Sequence, residues 1–398
     1  MVEAISGEMR IQMIAPTPFF ADRGCHVRIL EEARILKKLG NELKICTYHN
    51  GRNLEALDII RIPNIPWYKK LEAGPSYHML YLDFFLALLS FKVGLSFKPD
   101  LIHAHLQEGV FAGKLISKFK KIPLVLDAQG SLTGEMVDHG FLDESGLRHS
   151  FFHKFERYLN NATDAVLCSS MNTLKVFREE FKVSPEKLHH IPDGVDTKIF
   201  NPQLDVSDLR GELKLEGKRV VLYAGLLTEY QGINYLLEAI PLVIEDFEDA
   251  HFLIIGYPRI EYYKKIAKKL KVLEHTTFLG RIEYAELPRY LCLGELAISP
   301  KIPKNESNAK LLNYMASGLP TVVFEHPVNR ELLEDLGIYA KLRDSYSLAS
   351  CIKKILKDEK LSKKLSKKVR ERAVGKYSWK SIGEKLIEIY IKVLKRGE

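Results

Sequence analysis

Short apolar runs alternate with amphipathic stretches through the first half of the chain. The stretch from about Gly24 to Leu39 has the apolar spacing of a helix, and Gly40 ends it. The apolar runs predict strands at Arg10–Ala15, Leu43–Tyr48, Leu101–Ala104, Pro123–Asp127 and Ala165–Ser169. Short buried strands separated by helices are typical of a parallel sheet with helices on both faces.

The alternation pauses at HHIPDGVDTKIFNP, residues 189–202, and then begins again. A turn signal at Asp193–Gly194 and the proline at Pro202 interrupt the pattern there. The second half predicts a helix at Ile233–Ile244 and strands at Arg219–Tyr223, His251–Ile255, Thr277–Leu279, Leu296–Ser299 and Thr321–Phe324. The sequence therefore predicts two doubly wound α/β domains, residues 1–202 and 203–379, which face each other across a cleft. Open sheets of this kind bind ligands beyond the carboxyl ends of their strands.

Length and composition agree with two globular domains. A chain of 398 residues is too long for one ordinary core. Its 46% hydrophobic and 28% charged residues are typical of soluble proteins. The first residues lack the order of a signal peptide. The five cysteines are widely spaced and include no CxxC pair, so we expect no disulfide framework, no zinc site and a cytoplasmic location.

Three segments bear on membrane contact. The apolar run His78–Leu95 contains Asp83 and Lys92 and is shorter than the roughly 20 residues of a membrane span, which favours a buried helix. Residues 352–398 carry 16 Lys and Arg against 6 Asp and Glu. A solvated helix face explains that surplus, and an anionic membrane surface is the sharper hypothesis, ahead of nucleic acid. Pro66–Tyr81 mixes aromatic and basic residues and suits a membrane interface.

Three loop-to-helix junctions are candidate anion sites: Arg23–His26, Gly225–Gly232 and Asn305–Lys310. Neither GxGxxG after the first strand nor GxxxxGK[ST] occurs, which argues against a dehydrogenase and a P-loop NTPase. Lys310 lies in the first turn of a predicted helix, where a cation opposes the helix dipole unless an anion is bound. Asn313 shares its face. The alternative is that Lys310 extends into solvent and Asn313 caps the helix locally.

Segments along nearly the whole chain resemble the GT-B glycosyltransferases, family 4 in particular. IPDGVDTKIF is similar to the family's IPNGVD segment, and NYMASGLPTVVF to its EAMAxGxPVV segment. Further matches are PTPFFADRGCHVRILEEARILKKLG, DLIHAHLQEG, VVLYAGLLTEYQGINYLLEAI, FLGRIEYAELPRYL and SWKSIGEKLIEIY. The resemblance implies retaining transfer of a sugar from a nucleotide-diphosphate donor on the C-terminal domain to an acceptor hydroxyl on the N-terminal one. It also implies that helix 380–398 packs back on the N-terminal domain and that no metal is needed.

The chain departs from this family at charged positions. Leu226 and Gln231 stand where the family has Arg and Lys. Asn305 and Asn313 stand where it has two glutamates, and Gln129 where it often has a His. If the enzyme is active, the resemblance gives catalysis to Gln129, Asn305 and Glu306, with Glu306 as a shifted replacement for the first carboxylate.

The donor site implied by the resemblance centres on Lys310. Lys310 and the helix start offset the diphosphate charge, together with Lys301 or Lys304, and Asn313 bonds a ribose hydroxyl. The donor-binding candidates are Gly24, Gly225, Gln231, Arg281, Lys310, Leu311 and Asn313. Two alternatives stay open. One is a non-catalytic relic that binds sugar or nucleotide, and the other is a sugar-nucleotide epimerase of the same fold.

Acceptor candidates follow predicted strand ends or flank the first helix start. They are Arg23, His26, His105, Glu108, Ser131 and Glu135. The alternative for the loop around Ser131 is a solvated loop that caps the next helix. We expect the acceptor to be a glycan or a lipid-linked substrate, with peripheral contact at the inner membrane face and no nucleic-acid partner.

Overall fold

The computed structural model describes residues 8–20, 24–68, 78–138, 140–302 and 308–397. The chain divides into two compact units. Unit 1 comprises Met1–Asp193 together with Trp379–Glu398, and unit 2 comprises Gly194–Ser378. The division at Asp193 lies slightly before the boundary at residue 202 that the sequence predicts.

Unit 1 is built on a seven-stranded parallel sheet in the order β3-β2-β1-β4-β5-β6-β7. The strands are β1 (Arg10–Ala15), β2 (Glu42–Thr47), β3 (Ile59–Arg61), β4 (Leu101–His105), β5 (Leu124–Ala128), β6 (Ala165–Cys168) and β7 (Leu188–His190). Ile11 of β1 pairs with Leu43 on one side and with Leu101 on the other. The direction of winding therefore reverses between β1 and β4, which makes their carboxyl ends the expected ligand crevice.

Six helices of residues 24–179, in the part that the structure describes, pack around this sheet. They are α1 (Gly24–Lys38), α2 (Met79–Phe97), α3 (Leu106–Lys120), α4 (Leu132–Asp138), α5 (Leu147–Asn161) and α6 (Met171–Glu179). The strand residues are almost all buried, because a parallel sheet covered on both faces has no wet side.

Unit 2 repeats the plan with six parallel strands in the order β10-β9-β8-β11-β12-β13. The strands are β8 (Arg219–Ala224), β9 (Ala250–Ile255), β10 (Thr276–Gly280), β11 (Leu296–Ser299), β12 (Thr321–Phe324) and β13 (Gly337–Ala340). The helices are α7 (Ser207–Glu212), α8 (Ile233–Ile244), α9 (Ile260–Lys269), α10 (Leu287–Leu291), α11 (Lys310–Ala316), α12 (Pro327–Leu333), α13 (Ser345–Lys357) and α14 (Glu359–Lys376). The predicted pair of doubly wound, parallel-sheet domains is confirmed.

The last helix, α15 (Trp379–Gly397), belongs to unit 1 and packs on α1. Ile382, Leu386 and Tyr390 join the core formed by one face of the first sheet. A Cβ at Gly383 would lie 2.5 Å from Ile35 Cγ1, so the two helices approach closely only because this residue is glycine.

Helix α2 corrects one expectation from the sequence. By length and composition it could cross a membrane, as the core helices of soluble proteins also can, but only 39% of its apolar window is buried. Leu82, Leu86 and Phe97 face the core, whereas Leu80 and Phe84 face solvent. The expectation of a buried helix therefore holds for one side of α2 only.

Candidate functional site

In unit 2 the loops that follow β8, β9 and β10 meet at the carboxyl edge of the sheet. Gly225 N donates to Ile255 O at 2.9 Å, and Gly256 N donates to Gly280 O at 2.8 Å. A Cβ at Gly256 would lie 1.8 Å from Gly225 O, so this approach requires glycine. The edge is thus a layer of closely spaced backbone that a ligand could approach.

Helix α11 is held directly against this edge. The Tyr314 hydroxyl accepts from Ala224 N at 2.8 Å and donates to Ala224 O at 3.0 Å. Just before the helix, the buried Asn308 amide donates to Asn329 Oδ1 at 2.9 Å and to Ser299 Oγ at 3.1 Å. These contacts join α11 and the residues just before it to the ends of β8 and β11 and to α12.

Lys310, the first residue of α11, points across the end of β8. Its Nζ donates to Gln231 Oε1 at 2.6 Å and lies 5.0 Å from the centre of the Tyr223 ring. A Cβ at Gly225 would lie 2.5 Å from this Nζ, so the glycine makes room for the lysine. Among the residues that the structure describes, no carboxylate pairs with Lys310.

Burial, and then the charge of Lys301, lower the pKa of Lys310 to about 7. A lysine that lacks an anionic partner in a poorly solvated position is costly to keep charged. A bound phosphate would supply the missing negative charge. Lys310 is therefore the residue of this edge best suited to hold an anion.

The other donor candidates of unit 2 differ in how they face this edge. Asn313 is partly exposed, and its side chain makes no hydrogen bond with the described part of the chain. Arg281 is exposed and lies 5.5 Å from the centre of the Tyr257 ring. Leu311 is fully buried in the core, and its backbone N donates to Asn308 O. Asn305 and Glu306 lie outside the described residues, as does Lys304.

In unit 1 the carboxyl edge is organised around Asp127, at the end of β5. Arg28 of α1 donates from Nη2 to Asp127 Oδ1 at 2.8 Å and from Nε to Oδ2 at 3.0 Å. His105 Nδ1 lies 3.0 Å from the same carboxylate, and Gln129 Nε2 donates to it at 3.3 Å. Burial alone would raise the pKa of Asp127, but Arg28 and His105 hold it below its usual range.

The candidate ligand atoms of Glu32, His103, His105 and Asp127 lie within 4.8 Å of one another and could hold a metal ion. All four residues are fully buried. However, Arg28 Nε lies 3.0 Å from Glu32 Oε1 as well as binding Asp127, so a guanidinium already provides the positive charge. Burial and the neighbouring Asp127 raise the pKa of Glu32 well above its usual value. The cluster fits an internal charge network better than a metal site.

A buried carboxylate that is not among the predicted site residues accepts hydrogen bonds from the loop after β5. Glu156 of α5 is fully buried and accepts from Thr133 N at 2.8 Å and Leu132 N at 3.0 Å. It also accepts from Ser131 Oγ at 3.1 Å. Ser131 is thus tied to the start of α4, whereas Glu135, one turn on, is exposed. Glu156 lies on the buried side of an amphipathic helix, which is the one sequence signal that could have found it.

A second acidic group lies between α2 and α3. Tyr48 Oη donates to Asp83 Oδ1 at 2.5 Å. Burial raises the pKa of Asp83 to about 7. Burial, and then the charge of Asp83, raise the pKa of Glu108 to about 8. Glu108 remains partly accessible in the first turn of α3, so this acceptor candidate can receive or donate a proton near neutral pH.

The remaining candidates lie at the start of α1 and at the end of β4. His26 is fully buried, contacts the Thr17 hydroxyl and packs against the rings of Phe19 and Phe20. His105 is also fully buried. Gly24 begins α1, and Arg23 lies outside the described residues. His26 and His105 thus support the edge from inside.

Two family profiles match the two units in turn. The one described as Glycosyltransferase Family 4 matches residues 23–199, and the one described as Glycosyl transferases group 1 matches residues 206–372. The chain is a family 4-like glycosyltransferase. The resemblance inferred from its sequence segments is confirmed.

Two relatives align with this glycosyltransferase over about half of its length. It is 25% identical over 228 residues to spore coat protein SA of Bacillus subtilis, which covers 53% of this chain and 60% of the relative. It is 27% identical over 209 residues to phosphatidyl-myo-inositol mannosyltransferase of Mycobacterium leprae, covering 52% of this chain and 54% of the relative. The alignments thus span less than two thirds of each relative.

Solved structures show the GT-B fold over nearly the whole glycosyltransferase. Sucrose-phosphate synthase from Thermosynechococcus elongatus superposes with a TM-score of 0.81 at 18% identity, over 98% of this chain and 100% of the other. HepE from Anabaena, in complex with UDP and glucose, superposes with a TM-score of 0.76 at 16% identity, over 97% and 100%.

Proposed function

We propose that this protein transfers a sugar from a nucleotide-diphosphate sugar to an acceptor hydroxyl, with retention of anomeric configuration. Lys310 carries the proposal. It is a cation at the carboxyl edge of β8 whose only hydrogen-bond acceptor among the described residues is the neutral Gln231. A diphosphate is the ligand that would complete this arrangement. The family and the UDP bound in HepE agree with such a donor.

In the proposed reaction, the side chains of unit 2 need to transfer no proton to or from the substrates. The acceptor oxygen attacks the anomeric carbon while the bond from that carbon to the diphosphate oxygen breaks. The departing phosphate oxygen takes the acceptor's proton. Lys310, held by Gln231 and by the Tyr314 contacts of α11, stabilises the charge that develops on the diphosphate. The side chain of Asn313, which makes no hydrogen bond with the described residues, can bond the donor's ribose.

For the acceptor we propose a hydroxyl of a glycan or of a lipid-linked precursor, bound at the carboxyl edge of unit 1. Glu108 is a partly accessible titratable group near this edge, Glu135 is exposed, and Ser131 and Gln129 add a hydroxyl and an amide that can bond sugar hydroxyls. The phosphatidyl-myo-inositol acceptor in the name of one relative agrees with a lipid-linked substrate.

We further propose that transfer needs no resident metal. Arg28 already neutralises the carboxylates of the Glu32–Asp127 cluster, and Lys310 can meet the diphosphate directly. A chelator should therefore leave donor binding unchanged. A loss of donor binding that added Mg²⁺ or Mn²⁺ restores would contradict this part of the proposal.

The first experiment is a thermal-shift panel of UDP-, GDP- and ADP-sugars on the wild type, on Lys310→Ala and on Lys264→Ala. Lys264 is a matched control, because it lies in the same unit and pairs with Glu261 at the surface. A bound donor raises the melting temperature by mass action. We expect one nucleotide class to stabilise the wild type and Lys264→Ala, and to stabilise Lys310→Ala much less.

Two outcomes would count against the proposal. Stabilisation of none of the three proteins would argue against a nucleotide-sugar site. Equal stabilisation of Lys310→Ala would place the donor elsewhere. For the chemistry, the donor class found in this way is incubated with candidate acceptors, and the anomeric coupling of the product is read by NMR. Binding without any turnover would favour the non-catalytic alternative.

A further inference from the structure

Helix α2 presents a continuous apolar stripe to solvent. Leu80, Phe84, Leu88 and Leu95 recur at helical spacing on one side, and Leu80 is 76% exposed. The opposite side is anchored in unit 1. Gln12 Nε2 donates to Ser90 O at 2.8 Å, and a Cβ at Gly94 would lie 2.4 Å from Ile116 Cγ1. The helix therefore stays packed on the sheet, while an apolar stripe on its other side is exposed in the part of the chain that the structure describes.

The same apolar surface continues across α3 and α5. On α3, Phe111, Leu115 and Phe119 form a second stripe, and Phe119 is 63% exposed. Phe119 meets Phe91 of α2 at a ring distance of 5.5 Å, and Phe111 meets Phe155 of α5 at 6.4 Å. Three neighbouring helices thus share one surface, which we name the α2–α3–α5 face.

Phe151 extends this face along α5. It is 65% exposed and stacks on Phe155 at a ring distance of 6.4 Å. Tyr158, two turns further on, is also exposed. Scattered apolar residues are normal on a protein surface, but a contiguous set over three helices marks an interaction site.

The charges on these helices have one sign at the surface. The three helices carry seven Lys and Arg, each exposed or partly exposed, and none pairs with a carboxylate within the described ranges. Of their three acidic residues, Asp83 and Glu156 are buried, and Glu108 is partly exposed at the start of α3, by the carboxyl edge of the sheet. Lys114 Nζ lies 3.6 Å from the centre of the Tyr158 ring, so the basic groups stand directly beside the apolar ones.

We propose that the α2–α3–α5 face docks peripherally on an anionic lipid bilayer. Exposed Leu and Phe can enter the interfacial region, while flanking Lys and Arg contact anionic headgroups. A soluble protein partner would not require that every exposed charge on three helices be basic. The proposal does not rest on the sugar-transfer reaction.

The face differs from the membrane contacts that the sequence suggests. Helix α14 is rich in lysine, but two of its lysines pair with glutamates of the same helix: Lys363 with Glu359 at 2.6 Å and Lys367 with Glu371 at 3.9 Å. Its exposed surface carries little apolar area beyond Val374. Charge without apolar surface gives weak binding that salt screens, so α14 is not the docking element.

The test is co-sedimentation of the full chain with vesicles of phosphatidylcholine alone and of phosphatidylcholine mixed equally with phosphatidylglycerol. We expect binding only to the mixed vesicles, weakened by added salt. Two variants probe the face: Phe84→Ser with Leu115→Ser removes apolar contact, and Lys118→Gln with Lys120→Gln removes charge. Each pair should lower the partition coefficient by about tenfold or more, since each lysine near an anionic surface contributes about fivefold.

Matched controls lie in unit 2. Tyr346→Ser removes a similarly exposed ring from α13, and Lys364→Gln with Lys368→Gln removes two lysines from α14. Both controls should bind as the wild type does. All variants are exposed substitutions, and their melting temperatures verify that they fold.

The opposite results would overturn the proposal. These are no wild-type binding to the mixed vesicles, unchanged binding of both face variants, or loss of binding only in the α14 variant. Sedimentation velocity tests the alternative that a second copy of this chain binds the face. If Phe84→Ser with Leu115→Ser dissociated a dimer and left vesicle binding intact, the face would be an interface between two copies of this chain.

Discussion

The carboxyl edges of the two sheets solve the same structural problem in different ways. In unit 1, charges at the edge are paired with one another. Arg28 binds both Asp127 and Glu32, and His103 and His105 lie beside these carboxylates. In unit 2, the edge is made of glycine-rich backbone, and its cation Lys310 contacts, among the described residues, the Gln231 amide and the Tyr223 ring. One edge is internally neutral, and the other is short of negative charge.

This difference suggests a division of labour. A surface whose buried charges are already paired can discriminate hydroxyl groups through amides, hydroxyls and accessible acids. A surface with one unpaired, poorly solvated cation is set up for a phosphate. The contrast between the units therefore agrees with the proposed donor site in unit 2 and the proposed acceptor site in unit 1.

We expect the largest loss of stability from a substitution that breaks the buried charge network of unit 1. Asp127→Asn leaves Arg28 with less compensation in a buried position, and we expect the free energy of unfolding to fall by about 3 kcal/mol. Glu32 remains as a partner, which limits the loss. Both tryptophans, Trp67 and Trp379, lie in unit 1, so urea titration followed by their fluorescence reports on this unit.

The control for Asp127→Asn is Asp58→Asn, which removes the exposed partner of Lys44. Surface pairs contribute about 0–1 kcal/mol, so this variant should unfold close to the wild type. If the two variants lost equal stability, the buried charge network around Arg28 and Asp127 would contribute no more to stability than an exposed ion pair.

The next effect concerns the backbone of unit 2. Gly232 has a φ of 73°, and a Cβ there would lie 1.9 Å from Pro300 O. We expect Gly232→Ala to cost about 1–3 kcal/mol, measured by thermal unfolding followed by circular dichroism. Gly375→Ala is the matched control, because it lies within α14 with no atom within 4 Å of its Cβ position and should not destabilise. A Gly232→Ala protein as stable as the control would contradict the close packing of this edge.

The titration of Lys310 should make donor affinity depend on pH. Its pKa in the free protein is about 7, and a bound diphosphate should raise it. Donor affinity should therefore fall with rising pH above 7, by up to about tenfold per pH unit. Isothermal calorimetry between pH 6 and 9 measures this slope, and Lys310→Gln should remove it. A slope that persisted in Lys310→Gln would assign the titration to another group.

The same titration affects stability with a definite sign. The folded pKa of Lys310 lies below its ordinary value of 10.5, so the unfolded chain binds more protons between about pH 7 and 10. The contribution of Lys310 to stability must then increase as pH rises through that range. We expect Lys310→Met to flatten the pH dependence of the melting temperature there. An unchanged pH dependence would contradict the lowered pKa.

The smallest expected effect concerns the partner of Lys310. Gln231→Ala removes the hydrogen bond that orients the ammonium group, without removing its charge. Donor affinity should fall by about three- to tenfold, in line with one hydrogen bond of about 0.5–1.5 kcal/mol. Gln203→Ala, an exposed glutamine of the same unit, should bind donor normally. Unchanged affinity in Gln231→Ala would mean that the Tyr314 contacts alone position Lys310.

Several features of the site could be read from the chain. The sequence points to Lys310 because a cation in a first helical turn is unexpected, and the structure places it beside Gly225 and Gln231. Glu156 and Arg28 were missed, since each looks like an ordinary charged residue of an amphipathic helix. Their importance depends on burial, which local sequence does not reveal for one charged position among many.

The sequence by itself determined the alternation of strands and helices, the division into two sheets and the family. These depend on hydrophobic period and on glycine positions, which act over a few residues. Only the tertiary structure decided which charges are paired. Arg28 and Asp127 are 99 residues apart, and Lys310 and Gln231 are 79 apart. It also decided which half of α2 faces solvent. Pairing and exposure depend on which distant elements pack together, because burial changes the free energy of a charge far more than its neighbours in sequence do.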